Sequence, residues 1–237
     1  MPLTSPKLDV VYRFFSGTGF SYDRVVNIWT CGADLYWKSR ILALIPAHAR
    51  RIADQASGTG ILTLKIARAF PEAQVTGVEL REEYLDFARQ KVQKEGIENV
   101  EFRLGRAEDV VLEEPLDCMT SSYLAKYADL ENLLVNALQM LKPGGIVLLH
   151  DFTYPTNPLF IKLWKTWFRL MQALGGRLFP EWRTVFHELP DFLQQTRWVE
   201  DTRILLLKLG FNDIAVRPLT FGTAAIISAR KPSTDPS

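Results

Sequence analysis

The sequence predicts an α/β fold in which a mostly parallel sheet carries helices on both faces. Three observations lead there. Apolar runs of strand length alternate with helical patterns along the chain. The first run ends in a glycine turn that opens a helix, Arg51-Ile-Ala-Asp-Gln-Ala-Ser-Gly-Thr-Gly60. The next, Gln74-Val-Thr-Gly-Val-Glu79, ends on a carboxylate about twenty residues later, where open sheets of this kind place the acid that grips a ribose. In order, strands are expected at 51–55, 74–79, 99–104, 116–121, 145–150, 211–217 and 221–229. Helices are expected at 60–70, 81–95, 129–141, 157–174 and 198–209. Pro71, Gly96, Lys142-Pro-Gly-Gly145 and Gly210 supply their stops, since none of these continues a helix cheaply. No internal repeat is visible, and low complexity is confined to 231–237, expected to be a disordered tail.

The 237 residues, 47% hydrophobic and 23% charged, suffice for one sizeable core, read as a single domain over 1–237 with an appended cap. A net charge of +1 lacks the basic excess of nucleic-acid binders, so no nucleic-acid partner is expected. Cys31 and Cys118 are far apart and suggest a reducing compartment, and no His, Cys, Asp or Glu grouping has metal-ligand spacing, so no metal is expected. The N-terminus shows no continuous apolar core followed by a cleavage site and no run is long enough to span a membrane, so a cytoplasmic protein is expected, with attachment to a membrane surface left open.

The glycine turn also narrows the ligand. A dinucleotide fingerprint needs a small residue where this chain has Thr63, which disfavours NAD. No triphosphate-binding Gly-x-x-x-x-Gly-Lys-Ser/Thr occurs, and no Lys or Arg lies between Asp54 and Ile61 to meet a pyrophosphate. A nucleoside ligand without phosphates fits Asp54, Ala56, Ser57, Gly58, Thr59 and Gly60 with Glu79 and Leu80. A plain strand-to-helix turn is the alternative reading of the glycines alone.

Asp54-x-Ala-x-Gly58-Thr-Gly60 with Glu79 resembles the first two motifs of the S-adenosylmethionine-dependent methyltransferases. Further segments match in order: Tyr22-Asp-Arg-Val-Val-Asn27, Leu35-Tyr-Trp-Lys38, Arg106-Ala-Glu-Asp109, Leu141-Lys-Pro-Gly-Gly145, Asp151-Phe-Thr-Tyr-Pro155, and Leu219-Thr-Phe-Gly222 before 224–227. Over roughly 12–230 the chain resembles the ubiquinone/menaquinone biosynthesis C-methyltransferases. The resemblance implies a class I methyltransferase (Rossmann-like) fold, a seven-stranded sheet with its last strand antiparallel and a helical cap. It further implies S-adenosylmethionine as cofactor and a small hydrophobic, prenylated quinol as substrate. On this reading 1–48 is a helical substrate-side segment, 49–153 the cofactor-binding core, 154–209 a cap or lid, and 210–230 the closing strands. Thr59 would meet the methionine end of the cofactor, Glu79 the ribose, and Arg106-Ala107 the adenine. Because Arg106 cannot accept from an adenine amino group, backbone atoms or Glu108 would serve instead. Ser122 aligns with another cofactor-pocket residue, or is an ordinary loop serine.

Carbon methylation of a quinol asks for a group that takes or steers a hydroxyl proton, and the candidates are Tyr22, Asn27, Lys126, Tyr127 and His150. The family carries Leu-Arg-Asn where this chain reads Ser122-Tyr-Leu-Ala-Lys-Tyr127. Aligned from Asp117-Cys118, Lys126 and Tyr127 take the Arg and Asn positions; aligned back from Leu141, Ala125 and Lys126 do. His150 ends the fifth strand at the ligand-binding edge, or is a histidine buried under a covering helix, and His48 and His187 read as surface residues. In 157–174, Lys162, Lys165 and Arg169 form a basic stripe while Phe160, Leu163, Trp164, Trp167, Phe168 and Met171 supply apolar surface. That helix suits a peripheral contact with an anionic bilayer or a cap packed on the sheet, with Gly175-Gly176 as its hinge. A homodimer is compatible with the sequence. The alternatives to quinol C-methylation are methylation of another small hydrophobic molecule, including at oxygen, and a non-catalytic cofactor-binding subunit.

Overall fold

The computed structural model describes residues 6–233. Seven strands form one sheet: β1 (Arg51–Gln55), β2 (Gln74–Glu79), β3 (Val100–Leu104), β4 (Leu116–Ser122), β5 (Leu141–Phe152), β6 (Asn212–Leu219) and β7 (Ala224–Arg230). Their order is β3-β2-β1-β4-β5-β7-β6. All neighbouring pairs from β3 to β5 are parallel, and β7 runs antiparallel to both β5 and β6. The order reverses between β1 and β4, so a crevice opens beyond the carboxyl ends of these two strands. Strand β1 is buried from Ile52 to Gln55, as its central position demands.

Ten helices accompany the sheet among the described residues: α1 (Pro6–Phe15), α2 (Tyr22–Trp29), α3 (Ala33–Leu42), α4 (Ile61–Ala69), α5 (Glu82–Glu95), α6 (Leu130–Met140), α7 (Pro158–Leu170), α8 (Gly176–Leu178), α9 (Arg183–Gln195) and α10 (Trp198–Lys208). None is long and apolar enough to cross a membrane. One face of the sheet packs Met119, Val147 and Leu149 against α6 and α10 through Leu133, Leu134 and Leu206. The other packs Ile52, Val75 and Leu148 against α3 and α4 through Trp37, Ile41 and Ile66. A third cluster, rich in aromatic side chains, joins α1, α2, α7 and α9: Trp29 stacks on Phe186 at 4.7 Å and meets Phe168 edge-on at 4.8 Å.

Several boundaries differ from expectation for local reasons. The third expected helix stops at Met140, because Leu141 is already extended and pairs with Leu116, so β5 begins four residues before Gly145. Strand β7 begins at Ala224 rather than 221, since Thr220 and Phe221 both take left-handed backbone (φ 40 and 56) in a tight turn. The helix expected over 157–174 is α-helical to Leu170 and then widens into a π turn, Met171–Gly175. Within 154–209, α9 was not resolved as a separate helix by sequence; it carries Pro190 and buries Val185, Phe186, Leu189 and Leu193. Lys231, expected in the tail, still pairs through its backbone with Gly144 and Gly145, and 234–237 lie outside the described residues. The stops at Gly96 and Gly210 do adopt left-handed backbone, at φ 62 and 79.

Candidate active site

Strand β1 delivers the chain into a turn with left-handed backbone at Ala56, Gly58 and Gly60. Gly60, at φ 82, is required: a Cβ there would stand 2.7 Å from Leu64 Cδ1 and 3.1 Å from the Ala88 Cβ. Gly58 is open, its nearest neighbour being the Tyr84 ring at 3.9 Å, so a ligand can approach the backbone. The Gly58 N–H donates to Glu79 Oε2 at 2.8 Å, and the Arg81 N–H donates to Glu79 Oε1 at 3.0 Å. The acid that ends β2 is thus tied to the turn that follows β1. Burial pushes its carboxyl above the ordinary value, while the backbone N–H groups and Arg81 pull the other way. Asp54 lies beneath the turn, fully buried, and accepts from the Thr63 and Thr120 hydroxyls at 2.7 and 2.9 Å. Burial raises its pKa to about 6. Thr63, whose size argued against a dinucleotide, therefore also serves to satisfy Asp54.

A cleft with a cavity volume of about 100 Å³ opens above these groups. Its floor includes Ala56, Gly58, Glu79 and Leu80, with Arg106, Ala107 and Glu108 from the loop after β3. Ser122 at the end of β4 and Tyr123, Leu124 and Tyr127 after it line the cleft, with Val11 and Phe15 of α1 and Tyr22 of α2. Arg106 turns toward carboxylates of its own loop, 3.5 Å from Glu108 and 3.6 Å from Asp109. Glu108 accepts the Asp129 N–H at 3.1 Å. A smaller pocket beneath the turn is lined by Asp54, Ser57, Lys38, Tyr22 and Tyr123, and the Ser57 hydroxyl is buried there without a partner.

Beside the cleft lies an apolar pocket with a cavity volume of about 40 Å³, walled by Val25, Trp29, Phe152, Trp182 and Leu189. Lys126 and Tyr127 line it as well. Lys126 is paired with Asp151 at 2.5 Å and also donates to the Tyr123 carbonyl at 3.1 Å; both charged groups are buried. Burial pushes the ammonium down and the carboxyl up, and each charge offsets that push on the other. The Lys126 ammonium sits 4.3 Å from the Tyr127 ring centroid, whose own hydroxyl is buried and unpartnered. Tyr22, Tyr123 and Tyr127 have phenols held well above the ordinary value, chiefly by burial, so they remain protonated at neutral pH.

Other expected site residues stand elsewhere. Thr59 directs its hydroxyl to Asp23 of α2 at 2.5 Å, and its carbonyl accepts from Lys91; it fastens α2 to the turn rather than lining the cleft. Asn27 is exposed on α2 and lines none of these pockets. His150 is buried between the Trp37 and Tyr123 rings, with Nδ1 2.9 Å from the Ser122 hydroxyl. Burial first, and then Lys38 and Lys126, lower its pKa well below the usual range, so it is neutral and supports Ser122 from behind. Sequence reasoning missed Asp34, which pairs with Lys38 one helical turn on, and missed Tyr123 beside Ser122. The i, i+4 spacing of Asp34 and Lys38 was readable, but their burial was not.

A family model described as the ubiE/COQ5 methyltransferase family matches residues 4–231. The chain belongs to that family. The demethylmenaquinone methyltransferase of Thermus thermophilus is 30% identical over 224 residues, covering 92% of this chain and 100% of that protein. The one from Staphylococcus epidermidis is 26% identical over 228 residues, covering 93% and 92%. Among solved structures, a SAM-dependent methyltransferase from Aquifex aeolicus matches with a TM-score of 0.58 at 14% identity, covering 82% of this chain and 89% of that one. Human N-acetylserotonin methyltransferase in complex with SAM matches at 0.63 and 20% identity, covering 96% and 59%. These structures share the class I methyltransferase fold.

The enzyme is accordingly an S-adenosylmethionine-dependent methyltransferase, and its cleft suits that cofactor: an open backbone turn free of phosphate-binding cations, the Glu79 carboxylate with acceptor capacity for hydroxyl donors, and the unpartnered Ser57 hydroxyl. Replacing Glu79 by Gln is expected to weaken S-adenosylhomocysteine binding by about 1–3 kcal/mol, measured by titration calorimetry, because an amide nitrogen then meets donor groups. A second expectation concerns pH. With its folded pKa near 6 against an ordinary 3.8, Asp54 keeps a proton in the folded state that the unfolded chain releases, so stability falls as pH rises through that window. Urea unfolding should show Asp54→Asn gaining on the parent by on the order of 2–3 kcal/mol between about pH 4 and pH 7.

Proposed function

We propose that this enzyme transfers a methyl group to a ring carbon of a prenylated quinol, demethylmenaquinol or a related ubiquinone precursor. The observation that carries this reading is the wall made by Tyr22 and Tyr123, which lines the cofactor cleft, the pocket under the glycine turn and the apolar pocket alike. A polar nucleoside site and an aromatic-lined acceptor site thus meet across two side chains. S-adenosylmethionine supplies an activated methyl on a sulfonium, so the protein's tasks are to align the acceptor and exclude water. Glu79 would hold the ribose, and Leu80, Ala107 and Glu108 would enclose the adenine. Asp54, Ala56, Ser57 and Gly58 would hold the methionine end. Trp29, Trp182, Phe152 and Leu189 present apolar side chains for a quinol ring and the root of its tail. Lys126, held by Asp151, places a positive charge against that ring site, and Tyr127 offers a free hydroxyl.

Helix α7 supports a further part of this reading. It packs Trp164, Trp167 and Phe168 inward, with the Trp167 indole donating to the Trp29 carbonyl at 2.9 Å, and leaves Leu159, Leu163 and Leu170 exposed among Lys162, Lys165 and Arg169. Leu163 therefore faces outward, unlike the aromatic residues it was grouped with. An outward face of leucines and bases suits the surface of an anionic bilayer, from which a prenyl tail would enter.

Purified protein given S-adenosylmethionine and a reduced short-chain demethylmenaquinol should form a product heavier by one methyl, and fragmentation should place that methyl on the ring carbon. Methylation at oxygen would redirect the reading to another phenolic acceptor, and absence of any product would refute it. In co-sedimentation, vesicles containing anionic lipid should retain the parent, whereas Leu163→Glu with Leu170→Glu should lower retention several-fold; equal retention on neutral vesicles would remove the electrostatic part of the argument.

A further inference from the structure

Tyr123 sits in a setting that costs energy and is held there by several contacts at once. It follows β4 directly and takes left-handed backbone at φ 69, a conformation that costs a bulky side chain energy and persists only where its surroundings enforce it. The enforcement is visible. Its N–H donates to the His150 carbonyl at 2.8 Å, and its ring stacks on Phe152 at 4.7 Å with planes 16° apart. Its hydroxyl donates to Asp34 Oδ1 at 2.6 Å. The same carboxylate oxygen accepts from Lys38, and the Asp34 N–H donates to the Thr30 hydroxyl at 3.2 Å, so α3 holds the acid rigidly. Asp34 and Lys38 are both buried. The phenol oxygen thus has its own proton committed to a buried carboxylate, which leaves its lone pairs free to accept from a group in the pockets it lines.

We propose that Tyr123 and Asp34 form a relay that accepts the acceptor substrate's hydroxyl proton, with Tyr123 as the catalytic residue in contact with substrate and Asp34 as the terminal acceptor. The proposal rests on the quinol reading above. As the ring carbon attacks, its π electron pair forms the new bond to the methyl carbon, and the carbon–sulfur pair stays on sulfur. The ring hydroxyl then has the character of a protonated carbonyl, far more acidic than a phenol of pKa about 10. Its proton passes to the Tyr123 oxygen while the Tyr123 proton passes to Asp34, and the O–H electron pair completes the carbonyl. Tyr123 is never ionised in this exchange, which suits a phenol that burial keeps protonated. Movement of the remaining ring proton to the carbonyl oxygen through solvent restores the aromatic quinol, and Asp34 returns its single proton to solvent. Lys38 stays paired with Asp34 throughout and holds the carboxylate in place for the next cycle.

Tyr123→Phe preserves the ring stack and removes only the relay oxygen. Its kcat for quinol methylation should fall about 100-fold, with affinity for S-adenosylhomocysteine within twofold of the parent. Binding gives a second readout that needs no turnover: with S-adenosylhomocysteine present, Tyr123→Phe should bind a short-chain demethylmenaquinol about fivefold more weakly and its dimethyl ether unchanged. Asp34→Asn should slow kcat similarly, and the double variant should be no slower than the slower single one, as expected of two groups acting as a unit. A Tyr123→Phe enzyme with kcat within threefold of the parent, or one that loses affinity for diol and ether equally, overturns the relay. Should Asp34→Asn not fold, Tyr123→Phe decides alone. If the parent itself methylates no quinol, the quinol reading and the relay built on it both fall; if the parent works and Tyr123→Phe works equally well, only the relay falls.

Discussion

The arrangement of this enzyme depends on Glu79, a buried carboxylate whose two oxygens are held by the N–H groups of Gly58 and Arg81. Neighbouring parallel strands bring the end of β2 beside the turn after β1, and the bonds to Glu79 then fix that turn's backbone against it. A buried carboxylate is costly unless it accepts hydrogen bonds, so the loop and the acid stabilise one another's positions. Around them the same economy of buried acids repeats. Asp54 is satisfied by two threonine hydroxyls, Asp34 by Lys38 and Tyr123, and Asp151 by Lys126 and two backbone N–H groups. Each acid sits at a strand or helix position that determines where an aromatic or glycine neighbour can lie.

The aromatic cluster of α1, α2, α7 and α9 complements this polar layer. Apolar side chains close over the open edge of the sheet, and polar contacts fasten the cover down: Asp23 to Thr59 and Lys91, the Gly19 N–H to Glu83, and Thr18 to Tyr84. The cover therefore reaches both the glycine turn and the apolar pocket. Positioning and exclusion of water, which this kind of transfer chiefly requires, follow from the same contacts.

Much of the fold was legible because its signals are local. The alternation of strands and helices, the Gly96 and Gly210 stops and the strand–turn–acid pattern each rest on residues close in sequence, and all reappear in the structure. Boundaries failed where neighbours in space decided them. Leu141 leaves the helical pattern because Leu116 offers a strand partner, and Phe221 leaves the strand for a left-handed turn before Gly222. In the site, Glu79 and Gly58 meet at the turn above Asp54 as their spacing predicts, since a motif fixes their positions. Where the Thr59, Asn27 and His150 side chains go could not be read, because the direction of a side chain at a turn, on a helix or at a strand end depends on what packs against it. Thr59 meets Asp23 from a helix 36 residues earlier.

The sequence by itself determined that this is a class I methyltransferase of the ubiE/COQ5 family, since that identity is written in short motifs whose chemistry depends on contiguous residues. Only the tertiary structure decided which charges are buried together. Lys126 found Asp151 across 25 positions and Tyr123 found Asp34 across 89, and both pairings exist because β4, β5 and α3 converge at one end of the sheet. Burial and partnership are properties of that convergence. No spacing along the chain encodes them, and they are what turn an ordinary serine–tyrosine–leucine loop into the wall between two pockets.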